Sequence, residues 1–137
     1  MLSEKLYSRE VRLHSLYESY TFVVFPMSKA YEGFLKYYLK EMGLLNNPSY
    51  SDSKFRIGRA LNPDINDRHR DEWWLYDDLE RMCSKDTARA LWNAWLECRN
   101  KLFHFYFDDE IPLSLPVARK KLLQMSSAMD QAMECLK

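Results

Sequence analysis

The sequence predicts an all-α protein, an up-and-down bundle of four to five helices whose long N-terminal helix is kinked or split. Three observations carry this. Apolar residues recur at helical spacing over long stretches, only three glycines and five prolines punctuate 137 residues, and no stretch alternates as a strand would. The length suits one domain, 1–137, with enough chain to bury a core.

From Leu2 to Met42 the residues Leu6, Leu13, Leu16, Tyr17, Tyr20, Val23, Val24, Met27, Tyr31, Phe34, Leu35 and Tyr38 keep the helical period. Pro26 falls inside this run and predicts a kink or two helices in tandem, and Gly43 is a natural stop. Residues Leu44 to Asp71 carry turn chemistry ("NNP", "SYSDS", "NPDIND"), with one short helix expected from about Ser53 to Leu61. A helix follows from about Asp71 to Met82. Ser84 then stands where an N-cap belongs, ahead of a helix from Lys85 to Phe105. The stretch "YFDDEIPLSLP" breaks the pattern, and Ser114 with Pro116 in the first turn opens a last helix through Val117, Leu122, Met125, Met129 and Met133 to about Cys135.

Charge excludes some functions. Twenty basic residues balance twenty acidic ones, so any nucleic-acid surface must be a local patch. One such gathering is Lys54, Arg56, Arg59, Arg68, His69 and Arg70. The opening "MLSEKLYSREVRLH" is charged early and unlike a signal peptide, and the apolar run "TFVVFPM" is too short for a bilayer, so a cytoplasmic protein is expected. Cys83, Cys98 and Cys135 are an odd number without zinc-ligand spacing, and read as free thiols of a reducing compartment.

Several constellations carry little. His14, His69, His104 and the cysteines offer no pair at a metal-binding interval, and no metal or cofactor is expected. Cys98 and His104, six apart, fall on different helix faces. No Gly-rich phosphate loop exists. Trp73 and Trp74 could stack bases, though adjacent helix aromatics more often divide between core and surface. The run Arg119 to Lys121 reads as a solvated face, and Asp108, Asp109 and Glu110 as an acidic turn.

The informative stretch is "LECRNKLFHFYFDDE". At about 100° per residue, Ala88, Leu91, Trp92, Trp95, Leu102 and Phe103 share one side of the penultimate helix, and Arg99 projects into that arc. Asn100 and His104 stack on a neighbouring face. A charge so placed must be paired or face a ligand. A structural Arg bonded to a carboxylate, beside a surface His, satisfies the spacing by itself.

The letters "RNKLFHFY" say more. They resemble the HEPN superfamily (higher eukaryotes and prokaryotes nucleotide-binding), whose ribonuclease members carry Arg, four to six residues, then His, with Asn the commonest residue after the Arg. Tyr106, two places after His104, matches the form found in HEPN toxins inhibited by a nucleotidyltransferase antitoxin. A second segment, "FPMSKAYEGFLKYYLKEMG", is similar to the start of the HEPN domain in ribonuclease LS-type toxins, where Glu32 is the matching active-site position. The segment from Asn46 to Asp71 matches nothing in that family.

The resemblance implies a metal-independent endoribonuclease acting as a toxin or phage-defence effector. Arg99, His104, Asn100 and Glu32 would form its catalytic group, with Tyr106 a site of modification. It further implies a homodimer that brings two Arg/His sets into one RNA-binding cleft, an antitoxin partner, and no membrane. Lys101, Arg56, Arg59, Arg68 and Arg70 are secondary RNA-binding candidates. The alternative is a non-catalytic HEPN-like module that binds a nucleotide or a protein.

Overall fold

A computed structural model of the chain describes residues 1–13, 16–103 and 112–137. The expectations placed on His14, His104, Tyr106, Asp108, Asp109 and Glu110 lie outside these residues. Among the described residues the protein is helical and has no strand. The elements are α1 (Leu2–Leu13), α2 (Thr21–Glu41), α3 (Asn47–Ser51), α4 (Ile57–Ala60), a 3-10 turn (Asp67–His69), α5 (Tyr76–Met82), α6 (Lys85–Trp95), a π-helical turn (Leu96–Asn100), α7 (Lys101–Phe103) and α8 (Leu115–Glu134).

The core is made chiefly by α2, α6 and α8. Val23, Val24, Met27, Tyr31, Leu35, Tyr38 and Leu39 line the buried side of α2, and Ala88, Leu91, Trp92, Ala94 and Trp95 that of α6. Side-chain contacts fix the directions. Thr87 Oγ1 accepts from Gln131 Nε2 at 3.1 Å, and the Cys98 thiol donates to Gln124 Oε1 at 3.2 Å, so α8 runs antiparallel to the helix from α6 onward. Ser28 reaches the Cys98 carbonyl and Tyr31 that of Leu91, which sets α2 antiparallel to it as well.

Local chemistry stops and starts these helices. Gly43, at φ 74°, ends α2: its N–H donates to the Lys40 carbonyl and the Leu44 N–H to that of Leu39, both at 2.9 Å. Ser84 Oγ accepts from Thr87 N at 3.1 Å to open α6. Ser114 Oγ accepts from Val117 N at 3.4 Å to open α8, with Pro116 in its first turn.

The N-terminal helix is split, but not at Pro26. α1 ends at Leu13, and α2 runs through the proline. The residue after it, Met27, donates its buried N–H to Ser3 Oγ of α1 at 2.9 Å. A proline in a helix clashes with the carbonyl of the preceding turn and disturbs the ladder there; Ser3 supplies an acceptor at that place. Consequently the inner stripe of α1 is Ser3, Leu6, Tyr7 and Glu10, while Leu13 is 58% exposed.

Glu10 in this stripe is 1% exposed, and among the described residues neither carboxyl oxygen has a hydrogen bond; Arg9 Nε stands 3.8 Å away. A buried polar group without donors opposes folding by about 1–3 kcal/mol. Glu10→Leu is therefore expected to raise the unfolding free energy by an amount of that order. A denaturant midpoint at or below wild type would contradict this account of α1.

Two expected helices and one helix face depart from the sequence expectation. The helix expected over Ser53–Leu61 is only the short α4 (Ile57–Ala60), which opens at Arg56 without a side-chain cap, and α3 (Asn47–Ser51) lies before that span, where only turns were expected. The helix expected from Asp71 begins at Tyr76. Asp71 instead holds a turn, its Oδ1 accepting from Trp73 N at 3.1 Å and its carbonyl from Trp74 N at 3.0 Å. On α8 the buried residues are Ala118, Leu122, Met125, Ala128 and Ala132, while Val117 and Met133 face solvent. Alanines let helix backbones approach closely, and that outweighs the larger side chains a face away.

The cysteines require a correction. Cys83 and Cys135 form a disulfide, with Cα atoms 5.5 Å apart, and Cys98 alone is free and buried. Cys83 caps α5 and Cys135 caps α8, and the antiparallel packing of α6 and α8 brings these ends together. A separation of 52 residues leaves no local spacing to read. Among the described residues no helix is long and apolar enough to cross a membrane.

Candidate functional site

The feature that shapes the site is the π-turn. Sequence periodicity predicts one regular helix from Lys85 to Phe105. Instead Lys101 N–H bonds the Leu96 carbonyl five residues back, which inserts one residue into the helix. Such an insertion sets back everything after it by roughly 100° relative to a straight helix. Cys98 takes the core position at 0% exposure, and Phe103 leaves the inner arc to meet Phe25 edge-on at 5.3 Å.

Carbonyls in this turn find acceptable partners from other helices. Ser28 Oγ donates to the Cys98 carbonyl at 2.6 Å, and Lys121 Nζ to the Glu97 carbonyl at 3.1 Å. The irregular turn is thus held by α2 on one side and α8 on the other. π-turns of this kind occur often at functional sites.

Arg99 leaves this turn half-buried, with its side chain 27% exposed. Its Nε donates to Glu32 Oε2 of α2 at 3.1 Å, and its guanidinium carbon lies 6.0 Å from the Trp95 ring centroid. Lys29 Nζ approaches the same Glu32 oxygen at 3.6 Å. Glu32 and Arg99 are 67 residues apart in sequence, yet these two candidates meet. Asn100 lies beside them.

Together they border a cleft of about 880 Å³. One wall is α2 with Glu32 and Lys36, another is the helix from Trp92 to Asn100, and the third is the segment from Asp52 to Asp64. Sequence reasoning marked Arg56 and Arg59 of this third wall as basic candidates but missed the rest of it, because turn residues that match no motif give no sign of facing a cleft. Gly58 makes the close fit possible. A Cβ there would fall 2.3 Å from Trp95 Cη2, so α4 lies directly on the indole.

The basic candidates divide. Arg56 and Arg59 line the cleft. Arg59 is bound to Asp71 at 2.8 Å and to the His69 carbonyl at 2.9 Å. Arg56 meets the carbonyls of Ser53 and Phe55 and, among the described residues, no carboxylate. Arg70 fastens its own loop through Ile65 and Asp67 and lies 3.9 Å over the Trp74 ring. Arg68 is exposed on the 3-10 turn, and Lys101 pairs with Glu97 at 2.8 Å. Among the described residues no three His, Cys, Asp or Glu side chains could hold a metal.

Burial pushes the Cys98 thiol up to about 11; Lys121 opposes this, and Glu97 adds to it. A thiol raised from about 9 to about 11 keeps its proton in the folded chain when the unfolded chain has lost it. Its contribution is therefore complete below pH about 9 and is lost as pH rises toward about 11. That loss amounts to about 3 kcal/mol at most. Thermal unfolding between these pH values is expected to fall less steeply for Cys98→Ala than for wild type; equal slopes would rule this out. Burial also raises Tyr31 and Tyr38, and both add to alkaline loss at higher pH.

No family model, curated protein or solved structure matches the chain.

Proposed function

We propose that the protein is a HEPN-type, metal-independent endoribonuclease acting as a toxin or phage-defence effector. The observation that carries this reading is the Arg99–Glu32 contact at the edge of the cleft. It joins the two segments whose letters resemble that superfamily. Arg99 offers a permanently charged planar fork to phosphate oxygens, and Glu32 orients it.

In the proposed reaction the RNA 2′-oxygen attacks the adjacent phosphorus, a base takes its proton, and the bond to the 5′-oxygen breaks. An acid then protonates that oxygen, leaving a 2′,3′-cyclic phosphate and a free 5′-OH. His104 serves one of these proton transfers, since imidazole titrates near neutrality. A homodimer would supply the second, with two copies of "RNKLFH" facing one cleft. An antitoxin protein would act at Tyr106 or at the motif cleft, by adding negative charge or by excluding RNA. RNA as substrate places this action in the cytoplasm; the Cys83–Cys135 bond argues the other way, because disulfides are rare in reducing compartments.

The Arg99–Glu32 pair also fits the alternative, a non-catalytic HEPN-like module in which the pair is structural. One experiment separates the two. Wild type and His104→Ala are incubated with labelled single-stranded RNA in EDTA, and products are resolved with and without phosphatase. Cleavage to cyclic-phosphate ends by wild type, reduced ~10²-fold or more in the variant, is expected. Equal cleavage by both, or none by wild type in EDTA, would refute the ribonuclease reading.

A further inference from the structure

We infer that the cleft beside Arg99 is the seat of one nucleotide of the RNA chain and selects its base. This deepens the ribonuclease reading and rests on it.

Size comes first. A volume of about 880 Å³ exceeds what a water or an inorganic ion needs and suits a ligand the size of a nucleotide. The floor is aromatic. Trp92 and Trp95 stack with ring centroids 5.5 Å apart, and both line the cleft. The Trp95 indole N–H is itself buried and has no acceptor among the described residues. Only narrow edges of these rings, 7% and 8% exposed, reach the cleft, an apolar rim against which the edge of a flat heterocycle can pack.

The polar groups sort by role. Glu32 engages Arg99 only through Nε, which leaves the terminal nitrogens of its fork for phosphate oxygens at the cleft edge. Arg56, bonded to carbonyls and to no carboxylate among the described residues, is a second cation on the opposite wall. Two amides line the same cleft. The Asn100 side chain has no hydrogen bond among the described residues, so it can both donate and accept. Asn62 uses Oδ1 to hold Asp64 N at 2.9 Å, which leaves its NH2 as a donor. Such edges distinguish one base from another, because a base lacking the complementary group would leave an amide unpaired in a confined site. The wall that carries Asn62 and Arg56 is the segment that no motif accounts for. Base selection gives that segment a purpose.

The test has two arms on the intact protein. Tryptophan fluorescence is titrated with each of the four nucleoside 3′-monophosphates, and cut sites are mapped on a random-sequence single-stranded RNA pool. One base is expected to bind roughly 10-fold or more tighter than the weakest, and that same base to flank the cut. Asn62→Ala is expected to bring the four bases within roughly 3-fold of one another in both arms, with helical circular dichroism and melting unchanged in form. Gly58→Val, whose side chain would press on Trp95, is a second variant expected to lose nucleotide binding. Base-independent cutting with no saturable nucleotide binding would overturn the inference and leave the ribonuclease standing. Selective nucleotide binding without any RNA cleavage would keep the pocket, make its ligand a free nucleotide, and overturn the ribonuclease reading instead.

Discussion

Replacing Arg99 by alanine is expected to lower RNA cleavage by ~10²–10³-fold, the loss typical of removing a group that stabilises developing charge. Arg99→Lys should recover little, since an ammonium cannot give Nε to Glu32 while presenting a planar fork to phosphate. The plainer account of this arginine makes a different forecast. If Arg99 only neutralises Glu32, its loss leaves Lys29 at 3.6 Å from the same oxygen, and the pair is part-exposed at 27% and 31%. Such a pair contributes only about 0–1 kcal/mol, so the fold should tolerate the substitution. The informative measurement is therefore kcat alongside unfolding free energy. A large fall in kcat with stability nearly unchanged is the expected result. Unchanged kcat would remove Arg99 from the chemistry, and a fall in both would assign it to the fold.

The parts of this protein that were legible in its sequence are those decided within one turn of helix. Ser84, Ser114 and Gly43 bound helices through bonds that span three to five residues, and such bonds have spacing rules. The π-turn is different. Its carbonyls are taken by Ser28 and Lys121, from helices distant in sequence, and the residues Leu96 to Asn100 alone favour a regular helix equally well. The inner face of α8 was hidden for a related reason: alanine is a weak hydrophobic signal, yet it decides how closely two helices pack. The inner stripe of α1 was hidden too, because Ser3 is buried to serve a backbone donor beside Pro26. As for the site, composition and spacing could say only that Arg99 needed a partner. Glu32 entered through a resemblance of letters; of the cleft wall at Asp52–Asp64 only the basic residues Arg56 and Arg59 were marked, and Asn62 and Gly58 entered through neither route.

Reducing the Cys83–Cys135 bond is expected to lower the unfolding free energy by up to about 4 kcal/mol, the chain-entropy value for a loop of this length. The bond joins the turn between α5 and α6 to the end of α8, one helical turn from the Thr87–Gln131 contact. It therefore closes the antiparallel pair on which the core is built, and it lies away from Arg99. Reduction should weaken the fold and leave the chemistry of the intact protein unchanged. Thiol titration in denaturant without reductant decides whether the bond forms. One reactive thiol, that of Cys98, is expected in protein refolded with oxidised glutathione, and three after reduction. The double variant Cys83→Ser, Cys135→Ser should then melt like the reduced wild type. Three thiols before reduction would show that the two sulfurs stay apart, and would restore the reading of three free cysteines in a reducing compartment.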